Sequence, residues 1–257
     1  KPEHTEGLVA GEASPIGFTL PSGDPAKLPA MRDGFIRVQD QGSQLTALAL
    51  AEATEIKPGE QWLDMCAGPG GKAALLAAIA KQSDVSFVAN EIAEHRAKLV
   101  SQALHKIDDS VEVFCADGRT IGEDAPESFD RILLDAPCTG LGALRRRPEA
   151  RWRKQPKDVG ELTKLQEQLI DSAWLALKPG GVLAYVTCSP HSGETISIVD
   201  WLERRHGNQV QLLDATAVLH KLNPELKLNI NRKTVQLWPH INGTDAMFLA
   251  LITKSLG

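Results

Sequence analysis

The chain has 257 residues, 42% of them hydrophobic and 24% charged, with a formal net charge of −5. That length supports one large α/β domain, or a domain with a small appendage. No apolar run reaches membrane-spanning length, and the negative balance argues mildly against a surface coated for nucleic acid.

The opening Lys1-Pro2-Glu3-His4 has no apolar signal segment and no initiator methionine, so the chain reads as a fragment whose upstream domain could be missing. Residues 1–33 are rich in proline and glycine and predict an irregular lead-in, with a short strand near Ile16–Leu20. Residues 34–257 are expected to form the main domain. Phe35–Asp40 alternates like a short strand, and Ser43 is expected to cap a helix running to about Ile56. Gln61–Met65 predicts a strand that enters a glycine-rich turn, Cys66–Lys72, and then a helix to about Ala80. Strands follow at Val85–Ala89 and Val111–Cys115, with a helix over Ala93–Lys106 between them. Ile132–Leu134 is the fourth of these strands. A helix over Val159–Leu177 stops at Lys178-Pro179-Gly180-Gly181. Val182–Val186 is the fifth strand, followed by a helix over Glu194–Arg205. The tail segments Gln209–Leu213, Thr234–Leu237 and Met247–Ile252 read as strands separated mostly by loops. Alternating strands and helices predict a mainly parallel sheet with helices on both faces, closed by an antiparallel edge.

The turn Gly68-x-Gly70-x-x-Ala73 fits a dinucleotide fingerprint, in which small residues let a ligand approach the backbone at a helix start. A glycine turn between strand and helix is often only a turn. Lys72 is followed by Ala73 rather than Ser or Thr, which disfavours a phosphate-binding P-loop. Glu91 ends the second strand, where a carboxylate can take both ribose hydroxyls, and Asp117 ends the third, where it could accept from an adenine amino group. Three features in register point to a ligand containing adenosine. NAD and S-adenosylmethionine both fit to this point.

Four cysteines, Cys66, Cys115, Cys138 and Cys188, form no C-x-x-C pair. A metal site is therefore not expected, and the usage suits a reducing, cytoplasmic compartment. Cys66 and Cys115 are read as small buried hydrophobes in preference to direct chemistry. Cys138 and Cys188 differ. Each sits in a polar turn just past a strand, in Asp135-Ala136-Pro137-Cys138-Thr139-Gly140 and Thr187-Cys188-Ser189, and the two should face one crevice. Hydride transfer to NAD would need neither. Directly after the first turn, residues 145–157 carry Arg145, Arg146, Arg147, Arg151, Arg153, Lys154 and Lys157 against only Glu149, with Trp152 among them. Such a run could track phosphates and stack on a base.

At these residues the chain resembles the RNA (cytosine-5) methyltransferases of the RsmB/NOP type. The matching pieces include Val38–Gln44, Leu63–Lys72, Asn90-Glu91 with Arg96, Ala116–Gly118, Asp135–Gly142, Arg147-Pro148, Thr187–Ser189 with Glu194, and Trp238–His240 with Gly243–Asp245. The resemblance implies a Rossmann-like class I methyltransferase fold with a mainly parallel seven-stranded sheet and an antiparallel C-terminal strand. It implies S-adenosylmethionine as cofactor, lined by Cys66, Ala67, Gly68, Pro69, Gly70, Gly71, Lys72, Glu91, Asp117 and Asp135, with Arg96 against Glu91. It also implies 5-methylcytosine formation in RNA, ribosomal RNA first, at a single-stranded or loop cytosine taken out of its stack. By the same resemblance Cys188 is the nucleophile and Cys138 assists product release. Asp135 meets the cytosine edge or the cofactor's methionine end, and Lys72 orients the catalytic turn. A monomer is expected. The alternatives are transfer RNA as substrate, or a non-catalytic RNA-binding assembly factor. An NAD-dependent oxidoreductase leaves both cysteine motifs unexplained.

Overall fold

The computed structural model describes residues 4–256; the first three residues of the lead-in and Gly257 lie outside the description. Its strands are β1 (Val9–Ala10), β2 (Phe18–Thr19), β3 (Gln61–Asp64), β4 (Ser86–Asn90), β5 (Glu112–Phe114), β6 (Phe129–Asp135), β7 (Leu177–Thr187), β8 (Val210–Leu212), β9 (Val235–Gln236) and β10 (Phe248–Lys254). The helices are α1 (Pro29–Arg32), α2 (Gln41–Glu52), α3 (Gly71–Gln82), α4 (Glu94–His105), α5 (Ile121–Asp124), α6 (Ala150–Arg153), α7 (Pro156–Ala176), α8 (Ile196–His206), α9 (Ala215–Leu222) and α10 (Pro239–Asn242).

The main sheet runs β5-β4-β3-β6-β7-β10-β8, the seven-strand row expected, and β9 adds an eighth strand by pairing with β10. β3 to β7 are parallel; β10 is antiparallel to β7, β8 and β9. From β3 the chain winds outward through β4 and β5, then returns to the other side of β3 as β6. This reversal is the switch point at which open α/β sheets bind ligands.

Alternation along the buried strands divides the core between the two faces. Trp62, Phe87, Leu133, Ala184, Val186 and Leu249 face α2, α3 and α9. Leu63, Ile132, Leu134, Leu183, Tyr185 and Ala250 face α7 and α8. Residues Leu45 to Ala51 of α2 are buried on every side, as a helix packed between sheet and neighbours requires.

Several local expectations change. Phe35–Asp40 is not a strand: Val38 is 72% exposed and Arg37 Nη2 donates to the Ala103 carbonyl, so the alternating residues meet no sheet. Asp40, not Ser43, caps α2, accepting from the amides of Gly42 (2.9 Å) and Ser43 (3.4 Å). The Ser43 hydroxyl instead accepts from Gln39 Nε2 at 3.0 Å. Lys178–Gly181 does not separate helix from strand but bulges within β7. Phe129 pairs with Leu177, and the register resumes at Arg131 with Val182. The tail holds a helix that its loops did not suggest. Asp214 caps α9 through the Ala217 amide, and Ala215, Val218 and Leu219 are buried. β10 lies inside the sheet, leaving β8 at the edge. In the lead-in, β1 and β2 pair, Ala13 is buried, and Asn223 Nδ2 donates to the carbonyls of Glu12 and Ala13.

Arg131, in the middle of the sheet, is 1% exposed. It donates to the carbonyls of Leu50 and Ala51 in the last turn of α2, to those of Thr54 and Glu55 just past its end, and to Glu60 at 2.8 Å. A cation suits the negative end of a helix, and these carbonyls have no helical partner of their own. Burial alone would push the Glu60 carboxyl up. The hydrogen bonds from Arg131, Trp62 and the Lys57 amide outweigh it and hold the group below its ordinary value. Replacing Arg131 by Met should therefore destabilise the fold by roughly 3–5 kcal/mol, because Glu60 and four carbonyls lose their partner. A urea denaturation midpoint unchanged in Arg131→Met would refute this.

Candidate active site

The switch point is lined by the ends of five strands, β3 to β7. After β3 the chain turns through Cys66–Gly70 into α3. Gly70 has φ +103°, and a Cβ there would lie 2.8 Å from that of Ala103, so the turn needs glycine. A Cβ on Gly68 would meet Glu91 Oε2 at 2.3 Å and Arg96 Nε at 2.7 Å. Both glycines thus let the turn pack closely on Glu91, Arg96 and Ala103 at the start of α3. Glu91 is buried and accepts from the amides of Gly68 (3.1 Å) and Ala93 (3.0 Å). Arg96 stands 3.4 Å from it, as the sequence suggested.

Asn90, which sequence reasoning passed over, fastens the turns. It is buried, donates to the carbonyls of Met65 and Ala116, and accepts from the Ala116 amide, all at 3.1 Å. Asp117 lies beyond Ala116 at the edge of the crevice. Its carboxylate is held by Arg119, whose hydrogen bonds keep it below the usual carboxylate range. Between Glu91 and Asp117, Ile92 is 63% exposed, an apolar surface the sequence did not single out. Cys115 is exposed beside it, not buried as expected. Cys66 is largely enclosed, and burial pushes its thiol up, so it stays a neutral packing group.

Asp135 ends β6 and pairs with Lys72 Nζ at 2.8 Å. Burial would lower the Lys72 ammonium, but Asp135 more than compensates and raises it. Asp64 sits beside this pair at the end of β3. Neither of its oxygens has a hydrogen-bond partner among the described residues, and burial, then the charge of Asp135, pushes its carboxyl up to about 8. Nothing in the sequence separated Asp64 from an ordinary strand-end acid.

The chain leaves β6 and β7 side by side. Asp135 pairs with Val186, and the Ala136 amide donates to the Val186 carbonyl at 2.9 Å. The two following turns therefore meet, and Cys138 Sγ lies 3.4 Å from Cys188 Sγ. The Gly142 amide donates to the Cys188 carbonyl, and the Ala246 amide to that of Gly142, both at 2.9 Å. A Cβ on Gly142 would lie 2.2 Å from the Ala246 oxygen, so this approach admits only glycine. The two thiols are inequivalent. The hydrogen bond from Cys138 lowers the Cys188 thiol; burial and Asp135 oppose this, and Lys72 assists it. Sharing that bond, together with burial, raises Cys138. Of the two, Cys188 is the sulfur that gives up its proton more readily, and the thiolate is the reactive form.

The basic run is partly neutralised. Arg145 pairs with Asp40 (3.0 Å), and Arg146 binds Asp245 through Nε (2.9 Å) and Nη2. Arg147, Arg151, Arg153, Lys154 and Lys157 have no ion pair among the described residues, and Trp152 is 83% exposed. Among the described residues no cluster of His, Cys, Asp and Glu is arranged to hold a metal ion, and no helix is long and apolar enough to cross a membrane.

Residues 51–253 match the model of the family described as 16S rRNA methyltransferase RsmB/F, a span that includes every turn above. The chain belongs to the RsmB/F methyltransferase family. A relative from Mycobacterium tuberculosis, named only as a methyltransferase, is 48% identical over 246 residues, covering 96% of this chain and 52% of the relative. The ribosomal RNA small subunit methyltransferase B of Erwinia tasmaniensis is 33% identical over 254 residues, covering 98% of this chain and 53% of its own length. This RsmB/F chain thus spans about half the length of these relatives. Among solved structures, NSun6 from Pyrococcus horikoshii with SFG aligns at a TM-score of 0.76 and 25% identity, covering 93% of this chain and 59% of that one. A methyltransferase homolog protein from the same organism aligns at 0.73 and 27% identity, covering 92% and 74%.

Two measurements probe the charges of this RsmB/F site. Alkylation of Cys188 by iodoacetamide, followed by mass spectrometry, should be half-maximal below the ordinary thiol pKa and shift to higher pH in Cys138→Ala; an unshifted profile would contradict the assigned proton. Asp64→Asn should stabilise the fold. A carboxyl raised on folding binds more protons in the folded state, so wild-type stability falls as pH rises from the ordinary value of 3.8 to about 8. The gain from Asn should be near zero at pH 4 and roughly 2 kcal/mol or more at pH 7, read from denaturation midpoints at both.

Proposed function

We propose that this chain methylates carbon 5 of cytosine in RNA, ribosomal RNA first, through a covalent bond between Cys188 and carbon 6 of the base. The observation that carries this reading is the pair of thiols at 3.4 Å across the switch point, beside the Lys72–Asp135 ion pair. Carbon 5 of cytosine is a poor nucleophile. A thiolate adding to carbon 6 converts the ring to an enamine, which can take a methyl group.

The cofactor that fits is S-adenosylmethionine. The glycine turn at Gly68 and Gly70 packs on Glu91, Arg96 and Ala103 at the start of α3, and Glu91 and Asp117 end the next two strand turns with carboxylates, the exposed apolar Ile92 directly following Glu91. Such carboxylates can accept from ribose hydroxyls and from an adenine amino group. Cys66–Lys72, Glu91, Ile92, Asp117 and Asp135 would hold it. When bound, it supplies an electrophilic methyl group. The relative NSun6 was solved with SFG, an analogue of this cofactor.

The protein's own residues do the rest. Cys138 donates to the Cys188 sulfur and keeps it ionised. Lys72 holds Asp135 against the crevice, where the carboxylate meets the base edge or the cofactor's methionine end. Once Cys188 is bonded to carbon 6, its thiolate no longer accepts the Cys138 hydrogen bond. The main cause holding the proton on Cys138 is then gone. Cys138 then releases its proton to solvent and, as a thiolate, takes the carbon 5 proton; the electrons of that C–H bond form the carbon 5–carbon 6 double bond as the Cys188–carbon 6 bond breaks and returns the thiolate. The free cations Arg147 to Lys157, with Trp152, form the path by which a single-stranded segment reaches these sulfurs, with the target base out of its stack.

Cys188→Ala should abolish both methyl transfer and covalent RNA attachment. Cys138→Ala should instead accumulate a protein–RNA adduct that survives denaturing electrophoresis. Turnover in Cys188→Ala, or a Cys138→Ala enzyme that is inactive and adduct-free, would overturn the assignment of roles.

A further inference from the structure

We infer that Glu194 is the positioning residue that sets the spacing of the two catalytic sulfurs, by tying the turn of Cys138 to the turn of Cys188 through one buried carboxylate. The inference rests on the proposed reaction for its kinetic consequences only; the geometry stands apart from it.

The Glu194 side chain is 0% exposed and lies in the 3-10 turn Ser192–Glu194, ahead of α8 rather than on it. From there the carboxylate reaches across to four donors. Oε1 accepts from the Thr139 amide at 2.8 Å and from Gln166 Nε2 at 3.3 Å. Oε2 accepts from the hydroxyls of Thr139 and Ser189, each at 2.6 Å. Thr139 directly follows Cys138, and Ser189 directly follows Cys188. Gln166 also donates to the Pro137 carbonyl at 2.8 Å, so the residues on both sides of Cys138 are bound to one network. Glu194 is itself fixed through its main chain. Its carbonyl accepts from the buried Tyr185 hydroxyl, and its amide donates to His191, both at 2.9 Å.

Every partner of this carboxylate is a donor, and two acceptor oxygens are what four donors require. A carboxamide that keeps its oxygen on the two N–H donors turns its NH2 toward the two hydroxyls, which must then reverse and accept, so Gln loses both short charge-assisted bonds. The short distances to the hydroxyls are those of charge-assisted bonds. Glu194 makes no hydrogen bond to either sulfur. It acts through Thr139 and Ser189, and without it the two turns are linked mainly through the β6–β7 ladder and the Gly142 contact, both of which lie in the backbone. The sulfurs would then drift apart and lose the hydrogen bond that selects Cys188 as the thiolate.

Phenylarsine oxide tests the spacing without any RNA. Its arsenic takes two thiols held close together, forming two As–S bonds with release of one water and no change in sulfur oxidation state. Capture by the wild-type protein, and its loss in Cys138→Ala and Cys188→Ala, calibrates the probe. In Glu194→Gln the capture affinity should fall at least about tenfold, and kcat for cytosine methylation should fall about a hundredfold, the scale of a misplacement near 1 Å. KM for RNA and for S-adenosylmethionine should stay within about threefold, since no binding group is altered. The pH of half-maximal Cys188 alkylation should rise. Thr139→Val and Ser189→Ala remove one arm each and should show smaller losses of both capture and kcat; they decide the matter if Glu194→Gln does not fold. Wild-type capture in a folded Glu194→Gln, or in both single-arm variants, overturns the inference whatever happens to activity. Weakened capture in proteins whose wild type methylates no RNA would uphold the positioning role and refute the proposed reaction instead.

Discussion

The parallel pairing of β6 with β7 is the constraint from which the site follows. These strands come together from distant parts of the chain and end in register, Asp135 beside Val186, with one more hydrogen bond from Ala136 beyond the last pair. Parallel strands must both exit at the same edge of the sheet. Their turns are therefore forced into one crevice, and two cysteines fifty residues apart in sequence become hydrogen-bonded neighbours. The same edge receives the turns after β3, β4 and β5. Asn90 binds the last of these together, so the glycine turn and the thiol pair share one rim.

Electrostatics then divides labour among groups that look alike in sequence. Lys72 lies among Asp135, Cys188 and Asp64, and its ammonium is committed to Asp135. Asp64 makes no ion pair among the described residues, and burial outweighs the pull of Lys72 and the Cys66 amide, pushing its carboxyl up to about 8. Cys66 and Cys138 are held as thiols, whereas Cys188 is the sulfur on which charge accumulates. The inequality comes from who donates to whom. One thiol can lower its neighbour only by keeping its own proton.

The basic run shows how packing edits a charge pattern. Arg145 and Arg146 are tethered to Asp40 and Asp245, joining the cap of α2 and the segment before β10 to the turn that follows Cys138. The cations beyond them face solvent. A sequence with a net negative charge thus presents a local basic surface next to the turn of Cys138. Electrostatic steering depends on such local fields more than on the total.

The sequence alone was enough for the alternation of strands and helices, the glycine turn, the acids at Glu91 and Asp117, and the two cysteine turns, because each is a short run with its own period or turn chemistry. It misjudged Phe35–Asp40, whose alternation faces water, and placed the α2 cap at Ser43, because several residues there could accept the same amides. What only the tertiary structure decided are relations between distant residues: Arg131 on the carbonyls of α2, Asp40 with Arg145, Glu194 with Thr139 and Ser189, and the 3.4 Å between two sulfurs. None of these has a local signature. A buried donor or acceptor takes whatever partner the fold carries to it, and in a parallel sheet that partner comes from far along the chain.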